Sequence, residues 1–488
     1  MPAPHKRTMP GSRRSPVAAF LGALLAGGCA NFDGLAPKAV GTNAAGLAAS
    51  RSLAGARLSP AAWPTADWWQ RFGDPQLDAL IAEALTGNPG TGSARARIDR
   101  AVALAASSGA ALAPQASAGA DVTRQHFSAN GIYPPPLAGS WHTQAQLAAS
   151  FGYEFDLWGR NRAAYNAALG QVRAAEVDAY AARLLLAASV ARAYAQLGRS
   201  FDQLELAQAT LAQRQAIFDL IRERVGAGID SQIELKQAEV SIPAARLRIA
   251  LLEEEIARGR NLLAALLGQG PDRGLAIARP RMQGGLLALP TALPSDLVGR
   301  RPDVVAQRWR VEAARRDIDA AKGQFYPSIN LSALVGVQSI TFSKLLTAGS
   351  EIPTFGAALR LPLFDGGRLR GNLAAKDADY DLALEQYNQT LIEALREVVD
   401  QLASVRSVEA QRIELDGALA TAGQTYQLAL ERYRAGIGSY LQVLAAEAPL
   451  LEQKSLQANL RAHELELSIN LMRALGGGFE DASAAGAS

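Results

Sequence analysis

The stretches Arg224-Val-Gly-Ala-Gly228-Ile-Asp-Ser231 and Arg432-Tyr-Arg-Ala-Gly436-Ile-Gly-Ser439 decide the fold, because they are copies of each other. Each residue of the second stretch lies 208 positions after its counterpart in the first. The same offset joins further matching residues, at Gly159 and Gly367 and at Leu267 and Leu475. Repeats at a fixed offset indicate duplicated structural units. The sequence therefore predicts two copies of one unit, 75–283 and 284–479.

Each copy has the same predicted order of elements. A helical segment ends at a proline, two strands follow, and a very long helix leads through a glycine-containing turn into a shorter helix. Ala, Leu, Gln and Glu dominate the helical segments and lose little conformational freedom in a helix. At 1.5 Å per residue a long helix would reach about 100 Å, which is typical of coiled-coil-like bundles. The predicted helices are 76–113, 160–225 and 231–267, then 295–326, 368–433 and 439–475, and the strands are about 115–127, 142–157, 328–340 and 354–364.

The predicted strands alternate between apolar and polar residues. In the second strand, Phe151, Tyr153 and Phe155 lie on one face, with Gly152 and Glu154 on the other. A transmembrane sheet needs this pattern, although a soluble sandwich with one buried face shows it too. Four strands cannot close a barrel, since about eight is the small end of the range. Either the strands lie outside the membrane or several chains share one barrel; three copies would supply twelve strands, and we expect a trimer.

The N-terminus has the pattern of a bacterial export signal, with basic residues before a short apolar stretch at 17–26. Small residues then lead to Cys29, which resembles a lipoprotein processing site where the thiol receives a diacylglycerol and the new N-terminus is acylated, as with palmitate. Ala30 rather than Asp after the cysteine resembles lipoproteins of the outer membrane. We expect a signal peptide at 1–28, a lipid-anchored segment at 29–74 and a flexible tail at 480–488. The alternative is an ordinary cleaved leader with an incidental cysteine.

The composition argues against several classes of protein. Cys29 is the only cysteine, the four histidines are far apart, and the formal charge of +3 gives no reason to expect nucleic acid as a partner. The sequence has no G-x-S-x-G, H-E-x-x-H or P-loop motif. We therefore expect no enzyme activity, no metal and no cofactor. A lipid-anchored periplasmic coiled-coil spacer would explain the helices but not the alternating strands.

A set of motifs in order along the chain resembles the TolC-like outer-membrane factor family, and especially its NodT-type lipoprotein branch. These motifs are Trp68-Trp-Gln-Arg-Phe-Gly-Asp-Pro-Gln-Leu-Asp-Ala-Leu80, Phe155-Asp-Leu-Trp-Gly-Arg160, Arg300-Arg-Pro-Asp-Val304, Phe325-Tyr-Pro327, Leu361-Pro-Leu-Phe-Asp-Gly-Gly-Arg368 and Tyr433-Arg-Ala-Gly-Ile-Gly-Ser-Tyr-Leu441. The resemblance implies a mixed α/β, mainly α, homotrimer. In it a 12-stranded β-barrel in the outer membrane is continuous with an α-helical barrel in the periplasm.

The resemblance also implies a function and partners. The trimer would be the exit duct of a tripartite efflux pump, passively conducting drugs or other small toxic compounds to the exterior and so conferring drug resistance. An inner-membrane pump would supply the energy, and a periplasmic adaptor would join it to the duct. The alternative within the family is the exit channel of a type I protein secretion system. The cargo and the class of pump do not follow from the sequence.

Individual residues receive expected roles in the same way. Adaptor docking at the helical tips is assigned to Arg224, Gly228, Ser231, Arg432, Gly436 and Ser439. Leu441 matches an apolar ring of the periplasmic gate, whereas the family's aspartate position is Ala445; Glu447 is the candidate replacement, or else part of a solvated helix face. We expect Glu154, Asp156 and Arg360 to face the barrel lumen, with salt-bridged loop residues as the alternative.

Overall fold

A computed structural model describes residues 32–48, 51–52, 63–284 and 298–481. The leader, Cys29 and the tail beyond 481 lie outside the described residues. The described helices are α1 Pro75–Gly87, α2 Pro89–Gly109, α3 Arg160–Gly226, α4 Gln232–Leu266, α5 Asp272–Leu275, α6 Pro302–Gly323, α7 Arg368–Arg434 and α8 Tyr440–Ala474, and the strands are β1 Gln115–His126, β2 Trp141–Phe155, β3 Ser328–Ser339 and β4 Thr354–Arg360.

The long helix has the same length in both copies, and so does the short helix. α3 and α7 each contain 67 residues, and α4 and α8 each contain 35. Their bounds agree with the sequence prediction to within one residue. Within the described ranges, none of the helices is apolar over a long enough span to cross a membrane.

The first helical segment of the first copy is broken, so the prediction of one helix over 76–113 is wrong. α1 ends at Gly87, and Asn88 takes an extended conformation before Pro89 begins α2. A proline disfavours the helical region for the residue before it, which explains the break. The Asn88 side chain accepts a hydrogen bond from the Gly90 amide at 2.7 Å and so caps the new helix.

The four strands form one antiparallel sheet in the order β1-β2-β3-β4. Phe151 pairs with Ala333 and Tyr153 with Leu331, so their side chains share one face. β4 ends at Arg360, four residues before the predicted end. Leu361 is followed by Pro362, whose nitrogen cannot donate to a strand partner. The pairs Phe151–Ala333 and Tyr153–Leu331 show that the alternation predicted from the sequence corresponds to the two faces of the sheet.

The chain divides into two compact units, each drawn from both copies. The first comprises residues up to Val40, Arg100–Val172 and Trp309–Glu385; it contains the sheet and a core of Ile318, Ala321, Phe325, Leu369 and Leu373. The second comprises Gly41–Asp99, Arg173–Arg308 and Gln386 onward. It contains one core around Trp68, Phe72 and Tyr194, and another around Ile221, Tyr433, Tyr440 and Val443.

The Arg300–Val304 motif serves packing in the second unit. Arg301, with only 5% of its surface exposed, forms ion pairs with Asp303 at 2.5 Å and Glu397 at 2.9 Å. Its guanidinium also donates a hydrogen bond to the Ala474 carbonyl at the end of α8. A buried cation is tolerated only when it is paired and hydrogen-bonded in this way. This motif therefore ties the start of α6 to α7 and α8.

Candidate docking site at the helical tips

The two helical tips, defined as residues 224–231 and 432–439, have the same backbone geometry. Gly228 and Gly436 have φ of 73° and 77°, in the left-handed region that favours glycine. The amides of Ile229 and Ile437 donate to the carbonyls of Arg224 and Arg432 at 2.9 and 3.0 Å. The glycine amides donate to carbonyls three residues earlier in the chain, and together these hydrogen bonds close the last turns of α3 and α7.

Both tips are followed by a capped helix. The Ser231 hydroxyl accepts a hydrogen bond from the Ile233 amide, and Glu234 accepts one from the Ser231 amide. Ser439 and Gln442 form the same reciprocal pair at the start of α8. Such capping boxes satisfy backbone donors that a helix start leaves free. The predicted serines Ser231 and Ser439 therefore have a structural role in both tips.

The side chains of the first tip form an ion pair that also holds the second tip. The Arg224 guanidinium donates to Asp230 at 2.8 and 3.2 Å, and both side chains are largely buried. The Tyr433 hydroxyl donates to the same carboxylate at 2.5 Å. Arg224 lies over the Tyr433 ring, with its guanidinium carbon 4.6 Å from the ring centroid. These three residues, Arg224, Asp230 and Tyr433, are called the tip clasp below.

The charges within the tip clasp reinforce each other. Hydrogen bonds from Arg224 hold the pKa of Asp230 below its ordinary value, and the same bonds raise the pKa of Arg224. Burial, helped by the neighbouring Asp230 carboxylate, raises the pKa of the Tyr433 hydroxyl. The tyrosine therefore stays a neutral hydrogen-bond donor, while the aspartate stays ionised, across the physiological range.

The tips also expose apolar side chains. Ile229 and Ile437, just past the tip glycines, are 62% and 68% exposed, and Ile233 and Leu441 on the following helices are 68% and 64% exposed. Leu441 is the predicted gate residue, and the structure places it on the surface of α8. These four large apolar side chains occupy equivalent positions in the two copies. Exposed apolar surface is therefore a shared feature of both tips and of the helix starts that follow them.

Glu447 does not have the position expected for it. Its side chain is buried between α3 and α8, where Arg214 lies 3.5 Å away and the Gln213 amide donates to it at 3.1 Å. The expectation of a carboxylate facing the gate and the alternative of a solvated helix face are therefore both wrong. Its counterpart Glu239 is exposed and pairs with Lys236 at 2.7 Å.

The residues predicted to face a lumen lie at the end of the sheet. Glu154 forms an ion pair with Arg160 at 2.7 Å, and Asp156 accepts hydrogen bonds from the backbone amides of Asn161 and Arg162 at the start of α3. Arg360 ends β4 and is exposed. Glu154 and Asp156 thus stabilise the junction between strand and helix, and their assignment to a lumen stays a prediction.

Trp158 packs at the same junction. Its ring stacks on Tyr326, with the centroids 4.9 Å apart, and its indole nitrogen donates to the Pro327 carbonyl at 2.8 Å.

No three His, Cys, Asp or Glu side chains in the described part of the chain are grouped so that they could hold a metal ion.

Sequence reasoning missed the residues that join the two tips. Asp230 and Tyr433 are 203 positions apart, so no local pattern connects them. The available signal was the difference between the copies, because Asp230 is replaced by Gly438 and Tyr433 replaces Val225.

The family model for outer membrane efflux proteins matches residues 80–269 and 293–477, which together form more than half of the chain. The chain therefore belongs to the outer membrane efflux protein family, and it is an outer-membrane component of efflux machinery. The two matches fall within the two predicted copies, one in each.

Curated relatives and a solved structure agree with this placement. The fusaric acid resistance protein FusA of Burkholderia cepacia is 42% identical over 361 residues, covering 73% of this chain and 68% of FusA. The multidrug resistance outer membrane protein MdtP of Escherichia coli K12 is 32% identical over 440 residues, covering 87% and 88%. The outer membrane protein VceC of Vibrio cholerae has a similar structure, with a TM-score of 0.80 and 37% identity, covering 86% of this chain and all of VceC.

Proposed function

We propose that three copies of this chain form the exit duct of a tripartite efflux pump, through which small toxic compounds leave passively. The observation that carries the proposal is the four-stranded sheet, which has an apolar and a polar face. Phe151, Phe355 and Leu359 on the apolar face are about half to three-quarters exposed. Large exposed apolar surfaces are avoided in water, whereas hydrocarbon lipid would cover this face at no cost.

The edges of the sheet support the number of copies. β1 and β4 each pair with one neighbour only, so each has a row of backbone groups without a strand partner in the described sheet. Open sheet edges are too costly to lie in lipid. Joining β1 of one copy to β4 of the next removes both edges, and three copies give a closed sheet of twelve strands. The polar face, with Ser117, Ser150 and Asn330, then lines a water-filled passage.

The tips support a partner on the periplasmic side. Exposed apolar residues that lie beside charged side chains and capped helix starts are typical of protein interaction surfaces. We assign this surface to a periplasmic adaptor, with Arg224, Gly228, Ser231, Arg432, Gly436 and Ser439 holding its shape. Leu441 is assigned to the apolar part of the gate. An inner-membrane pump delivers the cargo and supplies the energy, and the duct itself performs no chemistry on it.

The relatives suggest the cargo. FusA is named for fusaric acid resistance, MdtP for multidrug resistance, and TtgF of Pseudomonas putida for toluene efflux. These names have in common drugs and other small toxic compounds, so we assign this class of cargo to the present duct. We also assign lipid attachment to Cys29, which would hold the N-terminus at the outer membrane by several acyl chains.

Two measurements test the duct. The full chain, purified from outer membranes in mild detergent, should migrate as a trimer that dissociates on heating, and it should conduct ions in planar bilayers. A monomer without conductance would contradict the proposal. The adaptor assignment is tested by co-purification, which should be lost when Gly436 is replaced by a bulky residue. The exposed Arg258→Ala variant is the matched control and should retain the adaptor.

A further inference from the structure

The hairpin end of β1 and β2 carries an arginine and a histidine on the face of the sheet that is otherwise apolar. Ala116, Ala118, Ala120 and Val122 occupy this face along β1, and Arg124 and His126 continue the same row to the strand end. His126 pairs with Trp141 across the hairpin, and Arg124 pairs with Thr143. The apolar row therefore ends in a basic and aromatic cluster of Arg124, His126 and Trp141, called the hairpin cluster below.

The hairpin cluster is ordered by direct contacts. The Arg124 guanidinium carbon lies 5.9 Å from the centroid of the Trp141 ring, within the range of a cation–π interaction. The His126 ring centroid is 5.4 Å from the same ring. Trp141 is nevertheless 61% exposed, and Arg124 forms no ion pair within the described residues. A cation held in place and left without a counter-ion is suited to bind an anion.

The position of the hairpin cluster along the sheet identifies the kind of anion. β2 runs from Trp141 to Phe155 and is followed by α3, so the cluster lies at the end of the sheet opposite to the helices. In a sheet that spans a membrane, this end lies at the outer boundary of the hydrocarbon. Cations on the lipid face are costly at mid-depth but tolerated near the boundary, where aromatic girdles also occur.

The second hairpin provides an internal contrast. With the offset of 213 residues between Pro114 and Pro327, the second-copy equivalent of Arg124 is Val337 and that of His126 is Ser339. Neither counterpart carries a charge. The hairpin cluster is therefore a local feature of the first hairpin and not a general requirement for ending a strand in this fold.

We propose that the hairpin cluster binds the phosphate of an anionic lipid headgroup in the outer leaflet of the membrane. The Arg124 guanidinium would donate hydrogen bonds to the phosphate oxygens, as planar guanidinium groups do well. The Trp141 ring fixes the guanidinium from the side and contacts the upper part of the acyl chains. The inference rests on the proposed function, because it requires the sheet to span the outer membrane.

The test is a binding titration on the full-length protein in a mild zwitterionic detergent. Fluorescently labelled diphosphoryl lipid A is the probe, phosphatidylcholine is the neutral lipid control, and inorganic phosphate at the same concentration is the water-soluble competitor. The variants are Arg124→Ala and Arg124→Lys, and Arg258→Ala is the control because it removes an exposed arginine far from the hairpin in sequence. Heat-dissociable trimers confirm that each variant is folded.

Arg124→Ala should weaken lipid A binding about fivefold, since one cation near a membrane surface contributes on that order. Arg124→Lys keeps the charge but loses the planar guanidinium, so its affinity should lie between those of the wild type and Arg124→Ala. Arg258→Ala should not change the affinity, and inorganic phosphate should not compete. Equal affinity in Arg124→Ala and the wild type would overturn the inference, and so would displacement by inorganic phosphate. Conductance of the wild type tests the duct separately: a conducting duct whose lipid A affinity is independent of Arg124 overturns only this inference.

Discussion

The two helical tips share a backbone but differ in their charges. Both turn through a left-handed glycine and both begin the next helix with a capping box. In the first tip Arg224 has Asp230 as a partner, whereas in the second tip Gly438 occupies the equivalent position. Arg432 is left with one long hydrogen bond of 3.4 Å to the Ile437 carbonyl. Duplication has thus preserved the turn and allowed the electrostatics to diverge.

The difference in charge between the two tips shows which tip holds the other in place. The carboxylate of the first tip binds both its own arginine and the tyrosine of the second tip. The second tip contributes Tyr433 but no charge of its own to the tip clasp. The same divergence continues along the following helices, where Glu239 is exposed and Glu447 is buried against Arg214. We infer that the first tip is the more rigid of the two and that the second depends on it.

Removing the carboxylate of the tip clasp should have the largest effect. Asp230→Ala leaves the guanidinium of Arg224 and the hydroxyl of Tyr433 without their acceptor, and breaking such a pair in a largely buried site costs about 3 kcal/mol. Native-state hydrogen exchange should show this loss of protection in the last turns of both α3 and α7.

Two variants serve as controls for that prediction. Arg432→Ala removes the equivalent arginine without a carboxylate partner, and Asp219→Ala removes an exposed partner of Arg222. Each should change exchange by about 0.5 kcal/mol or less. An effect of Arg432→Ala as large as that of Asp230→Ala would contradict the difference between the tips.

Replacing the two equivalent glutamates should give the next largest difference. Glu447→Ala removes a buried acceptor of Arg214 and Gln213, and hydrogen bonds to charged groups contribute about 2 kcal/mol. Glu239→Ala removes an exposed pair with Lys236, for which about 0.5 kcal/mol is expected. Hydrogen exchange of α4 and α8 measures both. Similar losses in the two variants would mean that Glu447 is not buried in the assembled protein.

Substituting the tip glycines should have the smallest and most even effect. Gly228→Ala and Gly436→Ala each force a side chain into the left-handed region, at a cost of about 1 kcal/mol. No atom lies within 4 Å of an added Cβ at either position, so backbone strain is the only source of the loss. The two variants should therefore lower tip protection equally, and a marked inequality would show that the tips do not share a backbone requirement.

Local patterns in the sequence predicted most of the architecture. The strand alternation and the position of the tip glycines depend on residues close together in the chain, and the 208-residue offset was found by comparing two such local stretches. The sequence prediction ends the helix at Pro114 and misses the break at Asn88, although Pro89 gives the same signal. The end of β2 at Phe155 follows from Asp156, whose side chain caps α3 and so leaves the strand.

Long-range contacts were beyond these patterns. The burial of Glu447 depends on how α3 packs against α8, and nothing in the neighbouring residues distinguishes it from the exposed Glu239. The tip clasp likewise needs Asp230 and Tyr433 from different copies. Comparison of the copies at equivalent positions would have indicated the tip clasp, because Asp230 and Tyr433 are both substituted in the other copy, but not the burial of Glu447, whose counterpart is also a glutamate.

We propose that β1 of one copy pairs with β4 of another to close a shared sheet. Within one chain these strands are separated by two others, so they lie about 14 Å apart, beyond the roughly 7 Å that a disulfide can span. Cysteines placed at Ala116, Ala118 or Ala120, each combined with a cysteine at Ala357, should therefore react only between chains. For protein taken from outer membranes, we predict a crosslinked ladder that ends at three chains and needs both cysteines; monomers in every combination, or a ladder that continues beyond three, would contradict the claim.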